Sequence, residues 1–308
     1  MNAGSIQGFV NLDKPRGWSN RRATELVARA FGRLSAGHAG TLDPLAGGVL
    51  PVALGGATKL VELLHDADKE YRARVRLGLY TDTDDAEGQP LGEPRAVSVT
   101  REQVEAALAG FRGAVMQRPP AFSALKREGR AAYESARAGR PLELAPRPVT
   151  FHELRLLAFE PPEFEVFARV SRGTYLRALA RDLGEALLCG GHLAALVRTR
   201  VGAFRLENAV SPEHLGELSA AGRAAEALIP ARRAFPEMAM LVAADEGTRR
   251  EVMWARPLPV ERFSLEGERP AAGQSCLILD PEGRALFLAE MAADEGGVLL
   301  VRPRKKLG

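Results

Sequence analysis

A single carboxylate stands in a bent and apolar stretch of this chain. Residues 36–60, AGHAGTLDPLAGGVLPVALGGATKL, hold six glycines, two prolines and one acid, Asp43, set between Leu42 and Pro44. Aspartate followed by proline is a favoured helix start, because the side chain accepts from free amides and proline has no amide to leave unpaired. The positive end of a helix also keeps an acid ionised, which suits a nucleophile or a general base. Asp43 can therefore be a helix cap, a chemical group, or both.

Two further residues carry chemistry. Tyr71 lies in KEYRARVRLG, whose alternation puts Tyr71, Ala73, Val75 and Leu77 on one face of a strand and Arg72, Arg74 and Arg76 on the other. A tyrosine so placed is either core or a cleft wall that stacks on a nucleobase and offers it a hydroxyl. Arg177 falls in the first turn of TYLRALARDLG, where a cation opposes the helix dipole, four residues before the like charge of Arg181. Arg181 can pair with Glu185 one turn on. Arg177 has no such local partner, so its acceptor, a carboxylate or a phosphate, must come from elsewhere in the fold.

The elements that position these residues follow from periodicity. SNRRATELVARAFG reads as a helix capped by Ser19 or Asn20 and ended by Gly32, and the glycine-rich segment as loop, short helix and buried strand. TREQVEAALAGFRG is a helix with Thr100 at the cap and Gln103 three residues on. RPVTFHELRLLAF and EFEVFARVSRG read as strands, and TYLRALARDLGEALL as a helix. Strands and helices mix without regular alternation, which predicts an α+β fold with a mixed, mostly antiparallel sheet and flanking helices. After residue 238 the texture changes to short strands and turns, with a hairpin around Asp280 to Gly283, so a domain over 1–238 and a small β-rich module over 239–308 are expected.

At 308 residues, 46% hydrophobic and 26% charged, the chain is long enough for one large core with a small companion. No apolar run approaches the ~18 residues of a membrane span, and MNAGSIQGFVNLDKP lacks the basic and apolar regions of a signal peptide, so a cytoplasmic protein is expected. Cys189 and Cys276 have no zinc spacing and read as buried thiols. The net charge of +3 says little, but residues 112–147 carry eight basic residues against three acids, +5, leaving −2 for the rest. A local basic surface on a near-neutral body is the footprint of a polyanion site, or else a solvated charged face. Several chemistries drop out. There is no HExxH pair and no GxSxG elbow, TDTDDAEG opens like a calcium loop but has Glu87 where the turn needs glycine, and GGATK lacks the first glycine of a phosphate loop.

Five stretches in order resemble one family, the TruB pseudouridine synthases. FVNLDKPRGWS resembles its lysine-proline motif, with Lys14. GHAGTLDPLAGGVLPVALGGATK resembles its catalytic segment, with Asp43 as the essential acid, and KEYRARVRLGLYTDTDDAEG its tyrosine motif, with Tyr71. QRPPAFSALKREGRAAYESARAG is similar to its RNA-binding insertion at about 112–147, and SRGTYLRALARDLG to its arginine motif, with Arg177. The C-terminal stretch resembles a PUA-like RNA-binding module. Asn20, Phe122 and Gly47 depart from the residues usual in the family, at positions that bear on RNA contact.

The resemblance implies an isomerase that turns uridine 55 in the T-loop of tRNA into pseudouridine on a flipped-out base, with no metal or cofactor. Asp43 would act beside sugar and base, Arg177 would orient that carboxylate and hold it ionised, and Tyr71 would stack on the uracil and assist loss of the C5 proton. Extruding the base costs a few kcal/mol, which RNA binding must supply. The residues implied for that are Lys14, Arg72, Arg74, Lys126, Arg127, Arg130 and Tyr175, with His38 as a wedge into the vacated stack. The implied partner is tRNA, held by T-loop and acceptor arm, with the protein a monomer, off the membrane and without a protein partner. Two other readings stay open: a non-catalytic RNA-binding or tRNA-folding protein on the same fold, and a carboxylate-based N-glycoside hydrolase, which would need a second acid.

Overall fold

The computed structural model describes residues 6–122 and 144–307, together with the backbone pairing of 126–127 with 130–131. The first strand is β1 (Gly8–Lys14), followed by α1 (Asn20–Ala30), β2 (Ala36–His38), β3 (Ala46–Leu54), α2 (Val61–Asp66) and β4 (Lys69–Leu77). The short β5 (Tyr80–Thr81) and β6 (Pro90–Leu91) pair with each other, and then come α3 (Arg101–Ala109) and β7 (Gly113–Gln117). A small ribbon, β8 (Lys126–Arg127) and β9 (Arg130–Ala131), precedes the long hairpin of β10 (Arg147–Glu160) and β11 (Glu163–Val170). The rest of this part is α4 (Leu176–Ala186), β12 (Gly191–Val201), β13 (Phe204–Arg205), α5 (Pro212–Ala220) and α6 (Ala231–Ala234).

The main sheet runs β1-β3-β12-β4-β11-β10-β7, with β2 on β3 and β13 on β12. Only β3 and β12 are parallel. The mixed, mostly antiparallel sheet with flanking helices is thus the one expected. Local signals account for its helices. Ser19 caps α1 by accepting from the Arg22 amide, and Thr100 and Gln103 form a reciprocal capping box on α3. Alternation accounts for β4, whose exposed residues are Arg72, Arg74 and Arg76 while Tyr71, Ala73, Val75 and Leu77 pack under α4 with Leu176, Leu179 and Leu183.

A second sheet is built from β14 (Ala239–Ala243), β15 (Leu258–Pro259), β16 (Phe263–Glu266), β17 (Ser275–Leu279), β18 (Ala285–Ala293) and β19 (Leu299–Lys306), in the order β15-β19-β18-β17-β14-β16. Helix α7 (Glu246–Met253) covers one face through Val252. The other face is not free. Leu277, Leu279, Leu288 and Leu307 share a buried cluster with Phe9, Val49 and Phe204 of the first sheet and with Leu60. The C-terminal strand also ties back to the glycine-rich segment: Lys59 Nζ donates to the Lys306 carbonyl at 2.6 Å and Lys305 pairs with Glu62 at 2.7 Å. Among the described residues no helix is long and apolar enough to cross a membrane.

Gly56 sits where the two sheets meet, and a Cβ there would overlap the Leu307 carbonyl. Gly56→Ala should therefore cost about 2 kcal/mol, the usual range for overpacking, and lower the melting temperature by several degrees. A thermal melt that does not move would show that β19 does not dock in this way.

Candidate active site

The segment carrying Asp43 forms a tight turn, not a helix. The Ala46 amide donates to the Asp43 carbonyl at 3.0 Å and β3 begins at once, so Pro44 serves as a turn residue. The helix-cap role expected from Asp-Pro is thereby corrected: there is no helix for Asp43 to cap. The turn is pinned from α1. Asn20 donates to the Leu42 carbonyl at 2.8 Å and accepts from the Leu42 amide at 3.1 Å. Asp43 is left with its carboxylate over a pocket, its side chain 37% exposed, and with Oδ2 at 2.9 Å from Arg177 Nε.

Arg177 is the remote partner that its sequence position demanded. Its side chain is 6% exposed, and its Nη1 and Nη2 donate to the carbonyls of Thr83 at 3.1 Å and Phe122 at 3.0 Å. Its Nε–H makes no well-aligned hydrogen bond, so the contact with Asp43 is an ion pair governed by charge and distance. A second acid, Asp85, stands 3.7 Å from the same nitrogen and is equally buried. Asp85 also organises the loop beneath Arg177, accepting from Thr83 Oγ1 at 2.6 Å and from the Glu87 amide at 3.0 Å. Arg181 pairs with Asp84 at 2.9 Å and with Asp182, and not with Glu185 as helical spacing suggested. Burial pushes the Asp84 carboxyl up to about 6, against the pull of Arg181 and Arg177. The TDTDDAEG stretch set aside as a failed calcium loop is thus the seat of the arginine. Its four acids in six residues were the signal, and two of them, Asp84 and Asp85, serve guanidinium groups.

The pocket has a volume of about 720 Å³ and is walled by Asp43, Tyr71, Tyr175, Arg177, Leu196 and Arg198. Tyr71 is 9% exposed, so it is at once core and cleft wall. Tyr175 is held at the rim by Gln117, which accepts from its amide at 2.9 Å and donates to its carbonyl at 3.1 Å. His38 ends β2, with Nδ1 at 3.4 Å from Thr24 Oγ1; burial and then the charge of Arg198 lower its proton affinity, which keeps the ring neutral at neutral pH.

Three of the residues expected to contact RNA stand away from the pocket. Lys14 is fully buried and donates to the carbonyls of Pro15 at 3.1 Å and Trp18 at 2.8 Å, so its ammonium braces the chain before α1. The alternation that puts Tyr71 in the pocket puts Arg72 and Arg74 on the opposite face of the sheet. There Glu165 pairs with Arg72 at 2.6 Å and Glu163 with Arg74 at 3.8 Å. The side chains of Lys126, Arg127 and Arg130 lie outside the described residues.

Comparisons with known proteins agree on one relationship. The family models described as TruB family pseudouridylate synthase (N terminal domain) and tRNA pseudouridylate synthase B C-terminal domain match residues 28–176 and 177–234. A protein named tRNA pseudouridine synthase B from Chromohalobacter salexigens is 46% identical over 245 residues, 80% of each chain. Its namesake from Pseudomonas aeruginosa is 48% identical over 218 residues, 71% of each chain. Among solved structures, a Cbf5-Nop10-Gar1 complex matches with a TM-score of 0.72 at 25% identity, over 98% of this chain and 85% of that one. An H/ACA RNP bound to a substrate RNA containing 2'-deoxyuridine matches with a TM-score of 0.73 at 23% identity over the same shares.

Two outcomes follow from the geometry. Asp85→Ala strips one of two acids from a buried guanidinium and frees the loop it braces. The expected cost is about 3 kcal/mol of stability, with turnover falling more than RNA affinity, as read by urea unfolding and steady-state kinetics. Burial lowers Lys14 and Lys69 to about 8 from 10.5, so the unfolded chain binds more protons between those values, and these lysines make stability rise with pH across that window. Wild type should gain stability relative to Lys14→Met from pH 8 to 10; a constant difference would show that Lys14 titrates normally.

Proposed function

We propose that this chain, which belongs to the TruB family and is a tRNA pseudouridine synthase, isomerises uridine 55 of the T-loop with Asp43 as the reacting carboxylate. The observation that carries this reading is the ion pair between Asp43 and the buried Arg177 on the wall of a pocket that also contains Tyr71. Asp43 faces the pocket, and its partner is locked in the protein beneath it. An oriented carboxylate of this kind is suited to act on a substrate without reorganising when charge develops.

The reaction breaks the N1–C1′ bond, turns the uracil and joins C5 to C1′; C5 loses a proton and N1 gains one, with no net change in atoms or redox state. Asp43 stands beside the sugar and base through this sequence. Arg177 fixes its direction. Tyr71 stacks on the uracil and helps take the C5 proton. The apolar wall of Leu42, Val170 and Leu196 keeps water from the detached base. The uridine must leave its stack to reach this depth, and His38, at the end of β2, is the wedge that takes its place.

RNA affinity comes from the insertion at about 112–147 and the rim residue Tyr175, with residues 239–308 as a PUA-like module toward the acceptor arm. Residues 1–238 form the catalytic domain. The protein works as a cytoplasmic monomer. The cluster shared by the two sheets supports a module that holds a fixed position on the catalytic domain.

The test is tritium release from unmodified tRNA labelled at uracil C5. Wild type should release tritium and leave pseudouridine at one T-loop position, whereas Asp43→Asn should bind the tRNA and release none, and Arg177→Met should lose turnover by a factor of at least about 10². Release by Asp43→Asn at the wild-type rate would remove Asp43 from the chemistry. Binding without release by wild type would leave an RNA-binding protein.

A further inference from the structure

Arg198 is the largest fully buried side chain among the described residues, and no described carboxylate lies within ion-pair distance of it. An unpaired guanidinium in a protein interior is costly, so the fold must gain something from holding it. Two more buried cations, Lys14 and Lys69, stand close enough for Arg198 to lower their proton affinity, which adds repulsion to that cost.

What Arg198 touches is the machinery on both sides of the pocket. It lies directly across from Tyr71 in the antiparallel pairing of β12 with β4, on the same face of the sheet. Burial pushes its own proton affinity down, and the Tyr71 side chain facing it offsets this in part. Its Nε donates to the Val49 carbonyl at 2.8 Å and its Nη2 to the Gly40 carbonyl at 3.0 Å. Gly40 and Val49 flank the turn that carries Asp43. The glycines there make room for it: a Cβ on Gly40 would come within 3.3 Å of Nη1, and one on Gly48 would overlap the Arg198 carbonyl. Both have positive φ, +79° and +96°, where other residues are strained.

At 1% exposure Arg198 offers almost no surface to a substrate in the pocket it borders, so its influence passes through the groups it holds. We propose that Arg198 is a positioning residue: it fixes the Tyr71 hydroxyl and, through the carbonyls of Gly40 and Val49, locks that hydroxyl at a set distance from the Asp43 turn. This rests on the reading of Tyr71 given above. The base is cut loose and turned during the reaction, so tyrosine and acid must keep one separation while the substrate between them moves. A planar fork with donors on several edges can hold three groups on two strands and a turn; a lysine cannot.

A double-mutant cycle on the full chain tests this, with steady-state tritium release giving kcat and KM and a thermal melt reporting the fold. Arg198→Met and Tyr71→Phe should each lower kcat by about 10²-fold with KM for tRNA changed by no more than about threefold. Combined, they should be no slower than the slower single variant, because both remove one interaction. If Arg198→Met does not fold, Arg198→Lys takes its place, and it should slow the wild-type background about 10-fold while leaving the Tyr71→Phe background unchanged. Near-normal kcat in the Arg198 variant beside an impaired Tyr71→Phe overturns the proposal alone. Losses that multiply also overturn it, since they mark Arg198 as support for the fold only. Full activity of Tyr71→Phe would instead bring down the role of Tyr71 itself.

Discussion

The structure of the site depends on how one buried guanidinium is neutralised. Arg177 is held by two backbone carbonyls and lies between Asp43 and Asp85, at 2.9 and 3.7 Å from Nε. A charge with so little access to water is tolerable only if acceptors meet it from several sides. That requirement brings together segments far apart in sequence: the turn at Asp43, the loop of Thr83 to Glu87, the backbone at Phe122 and the start of α4. The pocket is the space left where they converge. Asp43 differs from Asp85 in one respect that matters for chemistry, because it alone keeps an open side toward that space.

The same economy of buried charge appears on the other side of the pocket. Lys14, Lys69 and Arg198 are all buried, and each satisfies backbone carbonyls: Pro15 and Trp18, His65, and Gly40 with Val49. Backbone carbonyls that a glycine-rich turn leaves outside any ladder need donors, and long cationic side chains reach them from neighbouring strands. The bends of residues 36–50 are thus stabilised by Arg198 threaded through them, while Lys14 and Lys69 brace neighbouring segments. Glycine is required at position 48, where the Arg198 backbone comes too close for a Cβ and φ is +96°. A turn braced in this way is held in place without being part of a helix.

Rigidity also extends to the C-terminal sheet. Its inner face shares a core with β1 and β3, and the β19 strand closes against Gly56, so the module is continuous with the sheet that carries the pocket. A second surface fixed relative to the first can act as a ruler for a large, shaped substrate. The basic residues around it are mostly engaged: Arg232 pairs with Glu266 and Arg269 with Glu261.

Much of this was legible in the residues themselves. The alternation of β4, the capping box on α3 and the switch to short strands after residue 238 are local patterns, and local sterics and hydrogen bonding are enough to realise them. Arg177 could be marked as needing a distant partner because the misplacement, a cation in a first turn without a counter-charge, is itself local. The identity of that partner was not local. Asp43 reads as a helix cap until the Ala46 amide closes a turn and β3 pairs with β1 and β12. Asp85 reads as part of a broken metal loop until α4 lays Arg177 over it, and nothing local shows that Lys14 is buried on the carbonyls of Pro15 and Trp18. Arg72 and Arg74 were given their face by alternation, but which face held the pocket was set by where α3 and α4 pack. The sequence by itself determined the elements, the order of the motifs and the unpaired arginine. Only the tertiary structure decided which charges meet, because a buried charge is satisfied through space by whatever acceptor the packing delivers, whatever its distance along the chain.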